Sequence, residues 1–375
     1  MIARLTIERT MGAAGLAALA GGGAAIWAYL NEPQVFFTAW LAGFYFWLAM
    51  PLGALALLLI WDLTGGAWGP IARRPLTAMA ATMPLFILLF LPVVAGMPAL
   101  YSWSRPETAS ILHNRWYLNP EFFFIRAVTY FAVWNGFALW RLLRPASVTG
   151  APPPGLQWVS AIGLMLMGYS VSFAGIDWIM STEPDWFSSI YGMVVGSSQF
   201  IAALSFALLL IVLDAPKRAA PESFGKALSS LATILVAVVV FWAYTSFCQW
   251  LIIWEENLRN EIGWYLERWR GAWAFVVYTL GGAHFALPFA ALIWTPAMRS
   301  RRLVGAVCVL LLVSDLLQVW WLLLPSFRAA GFSWLHPVIA SGIGGLWLVC
   351  LGILAILFDR VPVAERRPER RLLHG

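Results

Sequence analysis

Ten stretches of about twenty apolar residues follow one another along this chain, with short polar loops between them. A run of that length spans the hydrocarbon core of a bilayer as a helix, because every backbone N–H and C=O must be satisfied within the segment once water is gone. The runs lie at about 11–30, 35–61, 75–97, 120–141, 157–180, 187–213, 229–254, 272–295, 302–325 and 338–358. Of the 375 residues 61% are hydrophobic and only 11% charged, where a soluble domain carries about 25% charge. The expected fold class is all-α: a polytopic membrane protein whose residues 1–375 form one integral membrane domain.

The net charge of +6 suggests nucleic acid until the cations are mapped. They lie in short loops and in a tail, which excludes a nucleic-acid surface and instead sets orientation. Arg4, Arg9, Arg73, Arg74, Arg141, Arg144, Lys217, Arg218, Lys226, Arg299, Arg301, Arg302 and five arginines from Arg360 to Arg371 fall on one side, seventeen in all. Arg105, Arg115, Arg259, Arg268, Arg270 and Arg328 fall on the other, and Arg126 lies inside the fourth run. That bias places both termini in the cytoplasm. The first run follows Arg4 and Arg9 and contains Ala18-Leu19-Ala20, a pattern shared with cleavable signals. Its continuation to Leu30 favours an uncleaved helix, and its glycines offer a close-packing surface.

The outward loops carry Tyr101, Trp103, Trp116, Tyr117, Trp186, Trp264, Tyr265 and Trp269, as an interfacial aromatic belt does. From Glu255 to Gly271 the alternating Glu and Arg residues predict a short surface helix, which could equally serve as a docking face for an extrinsic protein. The basic tail 359–375 suits anionic headgroups of the lipid bilayer.

Asp177, His284 and Asp315 interrupt apolar runs where charge costs roughly 2.5–3.5 kcal/mol, so they are the first candidates for function. Gln199, Tyr244, Gln249 and Gln318 join them as proton-path candidates, all from the midplane outward. The inner halves of the same helices are Leu, Ile, Val, Ala and Met, so the pattern is that of a half-channel or a site opening outward. The competing reading is structural: a buried Asp or His hydrogen-bonds across helices and locks packing. Asp62 and Arg126 fit that reading better, since both reach the interface. Pro288 with Gly281-Gly282 marks a candidate break around His284. Glu183, Glu255 and Glu256 are the acidic candidates of the outer loops.

Cys248, Cys308 and Cys350 stand far apart, without C-x-x-C or C-x-x-C-H, so this chain alone holds neither an iron–sulfur cluster nor c-type haem. A bis-histidine haem needs two facing membrane histidines. Only His284 qualifies, with His113 and His336 read as loop residues and His374 in the tail. No H-E-x-x-H, Walker A, G-x-S-x-G or dinucleotide motif is present.

Several stretches carry a family resemblance. They include Phe46-Trp47, Leu63-Thr64-Gly65-Gly66 with Arg73-Arg74, and Leu100-Tyr101-Ser102-Trp103 followed by Tyr117-Leu118-Asn119. Further on come Asp177-Trp178-Ile179-Met180-Ser181, Glu183-Pro184, Trp186-Phe187-Ser188 and Trp242-Ala243-Tyr244 through Gln249 to Trp254. Asn257, Trp264-Tyr265 and His284-Phe285-Ala286-Leu287-Pro288-Phe289 complete the set. In this order, on ten spans, the chain resembles the ActF family of bacterial alternative complex III, one of the NrfD-like groups of membrane subunits. It departs from the expected pattern at Glu255-Glu256, where a less acidic pair belongs.

The resemblance implies two four-helix bundles, 35–141 with 157–180 and then 187–325, flanked by helices 11–30 and 338–358. It implies a membrane component of a quinol:cytochrome c or quinol:oxidase oxidoreductase that is non-catalytic by itself, binds no cofactor of its own and conducts protons. The expected partners are a homologous quinol-binding membrane subunit, an iron–sulfur subunit, c-type cytochrome subunits and a terminal oxidase. Quinone or quinol, iron–sulfur clusters and c-type haems are then held by those partners. Two alternatives stay open: that this chain is the quinone-binding subunit itself, or that it is a secondary transporter with a broken helix at midplane.

Overall fold

The computed structural model describes residues 2–109, 114–143, 157–214, 222–327 and 331–360. Among them are ten helices long and apolar enough to cross a membrane: Thr10–Asn31, Pro33–Thr64, Gly69–Ala95, Pro120–Leu142, Gln157–Thr182, Tyr191–Asp214, Glu222–Glu256, Ala272–Leu292, Arg301–Ser326 and Leu335–Phe358. They are numbered one to ten in that order. The chain is an all-α, multi-pass membrane protein, and no strand occurs among the described residues. Alternate connections gather at two ends, called here the tryptophan end (loops near 101–119, 183–190 and 255–271) and the arginine end (near 65–74 and 299–302). Arg144, Lys217, Arg218, Arg328, His113, His374 and the basic tail past Arg360 lie outside the described residues.

Helix two is the hub. Of its apolar window 83% is buried, against 22% for helices one and eight. It is apolar all round, as a helix enclosed by others must be. It packs on helices three, five, six and ten. Its approach to helix six is set by Gly53, where an added Cβ would lie 2.3 Å from Ala203 Cβ. Close backbone approach of this kind gives dispersion contact that apolar bulk cannot add inside lipid. Helices six and nine pack together, and helix seven also packs on six.

Helices one and ten pack on each other, and ten then packs on two, so the first and last helices form one pair rather than two separate flanks. A Cβ on Gly21 would fall 2.3 Å from Gly342 Cα, and one on Gly345 would fall 2.4 Å from the Ala14 carbonyl oxygen.

Two helices depart from the regularity their hydropathy predicts. Helix three starts at Gly69, ahead of the expected 75, and is divided into Gly69–Ala80, Met83–Leu89 and Leu91–Ala95. Pro84 and Pro92 each stand in the first turn of a new segment, where a missing N–H costs nothing. Helix eight widens into a π-helix over Leu280–Ala286. Pro288 cannot donate to the carbonyl four residues back, that of His284, and Gly281-Gly282 stiffen the turn little. At the tryptophan end the short helix Arg259–Arg268 is bracketed by two residues with positive φ, Asn257 (48°) and Gly271 (56°). It is no free surface helix: Trp264, Tyr265 and Arg268 are buried under it.

Candidate functional site

The deep ionisable residues fall into two unlike sites. Asp177 stands near the end of helix five, at the tryptophan end, and its carboxylate is saturated. Arg126 of helix four donates from Nε to Oδ2 at 2.8 Å and from Nη2 to Oδ1 at 2.9 Å. Tyr117 Oη donates to Oδ1 at 2.8 Å and Tyr130 Oη to Oδ2 at 2.7 Å. The guanidinium also donates to the Tyr117 carbonyl and lies 3.9 Å over that ring. Burial, then the Asp177 charge, push the Tyr117 hydroxyl up and keep it a donor. Arg126 is therefore buried against a partner rather than extended into solvent. The same holds for Asp62, which is 1% exposed and paired with Arg141 Nε at 2.8 Å. Helix four thus supplies an arginine at each end, one for helix five and one for helix two.

Asp315 is different. It lies at the junction of helices two, six and nine, facing Tyr45, Ser198 and Gln199, in a space closed to a water-sized molecule. Among the described residues, no arginine, lysine or histidine faces it there. The Ser198 hydroxyl hydrogen-bonds Asp315 Oδ1 and lies 3.2 Å from Gln318 Oε1. One hydroxyl brings one proton to two acceptors, so this triad has room for one proton more. The Tyr45 hydroxyl and Gln199 Oε1 beside it have no partner among the described residues.

Gln318 also lines a second space, a cleft of about 660 Å³ in the tryptophan half of helices seven, eight and nine. Its walls are apolar and aromatic, with Trp242, Phe247, Trp250 and Phe285 among them. Tyr244 and Phe247 remain exposed at its edge, so the cleft opens on the flank of the bundle. Its polar groups include Gln249, Gln318, Tyr265 and Arg268. Gln249 accepts from Ser188 Oγ at 3.0 Å and donates to Tyr265 Oη at 2.9 Å.

His284 stands behind the cleft wall, fully buried on the π-helical turn. Its ring packs edge-on to Trp242 with centroids 4.3 Å apart. Nδ1 is 2.9 Å from Ser314 Oγ, and Nε2 has no partner among the described residues. His336, read as a loop residue, is instead buried in the first turn of helix ten, 3.5 Å from Thr38 Oγ1.

A scan against protein-family models finds no match for this chain, and a search of curated proteins finds none. The site is therefore read from its own geometry.

The structure brings Gln199, Asp315 and Gln318 together, joins Gln249, Gln318 and Tyr244 through the cleft, and leaves Asp177 with a separate set of partners. Tyr244 is 62% exposed and belongs to the cleft's outer edge rather than to a buried path. Glu183 is tied to the cleft through Arg268 at 2.8 Å, whereas Glu255 and Glu256 end helix seven exposed. Arg268 escaped sequence reasoning because it counts as a loop cation. Trp264, Tyr265 and Arg268 share one face of a short helix, and that spacing was the available signal. Among the described residues, no three His, Cys, Asp or Glu side chains converge as a metal site requires. The arrangement suits holding an apolar molecule by a polar head and passing protons beside it.

Proposed function

We propose that this chain is a membrane subunit of a bacterial respiratory quinol-oxidising complex, holding a quinone-class molecule in the cleft of helices seven to nine. The carrying observation is the cleft itself: about 660 Å³, apolar walls, an opening on the bundle's flank, and a few convergent polar groups at one end. Lipophilic head-group ligands are bound in spaces of this size and composition. The family resemblance supports the respiratory setting, with iron–sulfur and c-type haem subunits as partners, and the bias of arginine and lysine among the loops supports cytoplasmic termini. In this reading the chain carries no redox centre. Gln318 links the cleft to Ser198 and Asp315, which take up or release protons on the ligand's behalf.

Photo-crosslinking with an azido-quinone in the isolated complex tests the reading. Label is expected on residues 240–250, 277–285 and 318–322. Label confined to other helices overturns it. Co-purification with haem-c and iron–sulfur proteins is expected in mild detergent, whereas transport by the purified chain alone favours the transporter alternative.

A further inference from the structure

One guanidinium lines the cleft. Arg268 is 1% exposed and closes the short helix Arg259–Arg268. Its Nη2 donates to Glu183 Oε1 (2.8 Å), the Leu322 carbonyl (2.7 Å) and Ser326 Oγ (3.0 Å), and Nη1 donates to the Trp264 carbonyl (3.2 Å). The indole of Trp264 lies 3.7 Å beneath its Cζ. These contacts fix the fork rigidly. Yet Nε–H has no partner among the described residues. Buried unmatched donors are rare because each forfeits its bond to water.

Three further cleft-lining residues repeat the pattern: Trp242 Nε1, Trp250 Nε1 and Ser246 Oγ are buried without a partner among the described residues. All four atoms carry N–H or O–H, so these cleft-lining residues hold donors without acceptors among the described residues. An apolar ligand alone leaves them unmatched; a ligand bearing acceptor oxygens does not.

Charge narrows the ligand further. Arg268 is already paired with Glu183, and among the described residues no other Arg, Lys, Asp or Glu lines the cleft. A phosphate or carboxylate entering here adds a negative charge with no cation left to meet it, deep in a low-dielectric site. A carbonyl oxygen asks only for the donor.

We propose that Arg268 is the head-group recognition residue of this cleft, and that its ligand is neutral, with a carbonyl acceptor on an apolar body. This rests on the quinone-class reading above and specifies it. Arg268 sets which head group is held, and Glu183 sets the charge that the head group is allowed.

The test uses the intact complex in detergent, with decylubiquinone as the neutral probe and dodecyl phosphate as the anionic one. Binding at this cleft is followed by azido-quinone labelling of residues 240–250, 277–285 and 318–322 and its displacement by either probe, which separates it from any site on a quinol-binding partner. For the wild type, saturable decylubiquinone binding that dodecyl phosphate does not displace is expected. Arg268→Lys keeps the charge but loses the Nε–H, and should weaken decylubiquinone about 10- to 100-fold, as loss of one charge-assisted hydrogen bond does. Glu183→Gln leaves the guanidinium without its counter-ion, so dodecyl phosphate should now compete, gaining about 10-fold or more. A merely structural Arg268 does not produce that exchange of ligand charge. Unchanged decylubiquinone affinity in Arg268→Lys, or displacement by dodecyl phosphate in the wild type, overturns the assignment and leaves the quinone reading standing. Absence of saturable wild-type binding removes both. Should Arg268→Lys fail to assemble, the Glu183→Gln competition decides alone.

Discussion

Asp177 and Asp315 are the same side chain in the same kind of apolar helix, and their surroundings are opposite. Asp177 meets two N–H groups on one edge of a guanidinium and two phenol hydroxyls, which leaves neither carboxylate oxygen without a donor. Asp315 has Ser198 as its hydrogen-bond partner, no described arginine, lysine or histidine facing it, and unmatched polar atoms nearby. A buried charge that is fully paired is a fastener, because changing its protonation breaks several bonds at once. A buried acid with a single hydroxyl partner is adjustable, because its neighbours tolerate either form. Depth in the membrane does not separate the two roles; the partner set does.

The comparison breaks first at Arg126. Replacing it with Met leaves the Asp177 carboxylate buried and unpaired, and should cost about 3–5 kcal/mol, read as loss of thermal stability in detergent. Adding Asp177→Leu to Arg126→Met should recover most of that loss. Wild-type stability in the single variant denies the fastener role. Next in size is Asp315→Asn, which keeps the volume and the Ser198 contact. Stability should stay within about 1 kcal/mol, while quinol turnover of the complex falls on the order of 100-fold. Full turnover in this variant removes Asp315 from any proton route. The smallest effect is expected at His284→Leu. The imidazole has one unmatched nitrogen, so an apolar replacement of similar size should change stability by less than about 1.5 kcal/mol. A larger loss, measured in the same melts, marks His284 as part of the packing after all.

The ten spans were legible because hydropathy over twenty residues reports transfer free energy directly, with little dependence on neighbours. Gly281, Gly282 and Pro288 marked where helix eight leaves regular geometry, but they suggested a break, whereas the helix runs on through a π turn. The separation of Asp177 from Asp315 was not legible. It depends on Arg126 lying across from Asp177, a contact between residues far apart in the chain. Spacing along the sequence places both aspartates from the midplane outward, and only packing shows which has a partner. The cleft was illegible for the same reason: Trp242, Gln318 and Arg268 line one space although they come from three separate elements. The segmented helix three had a signal in Pro84 and Pro92, but a proline in a membrane helix also permits a simple kink.

The glycine contact between helices one and ten has a consequence for how the protein is made. Gly21 and Gly342 touch backbone to backbone, yet about 320 residues are synthesised between them, which at roughly 5–20 residues per second takes about 15–65 s. For that time helix one waits in the bilayer with its small-residue face uncovered, exposing glycines to lipid. A mutation that fattens this face, such as Gly21→Val, therefore acts only once helix ten has been made. Its expected signature is a chain whose spans insert but whose helices one and ten do not dock, read as a lower melting temperature in detergent.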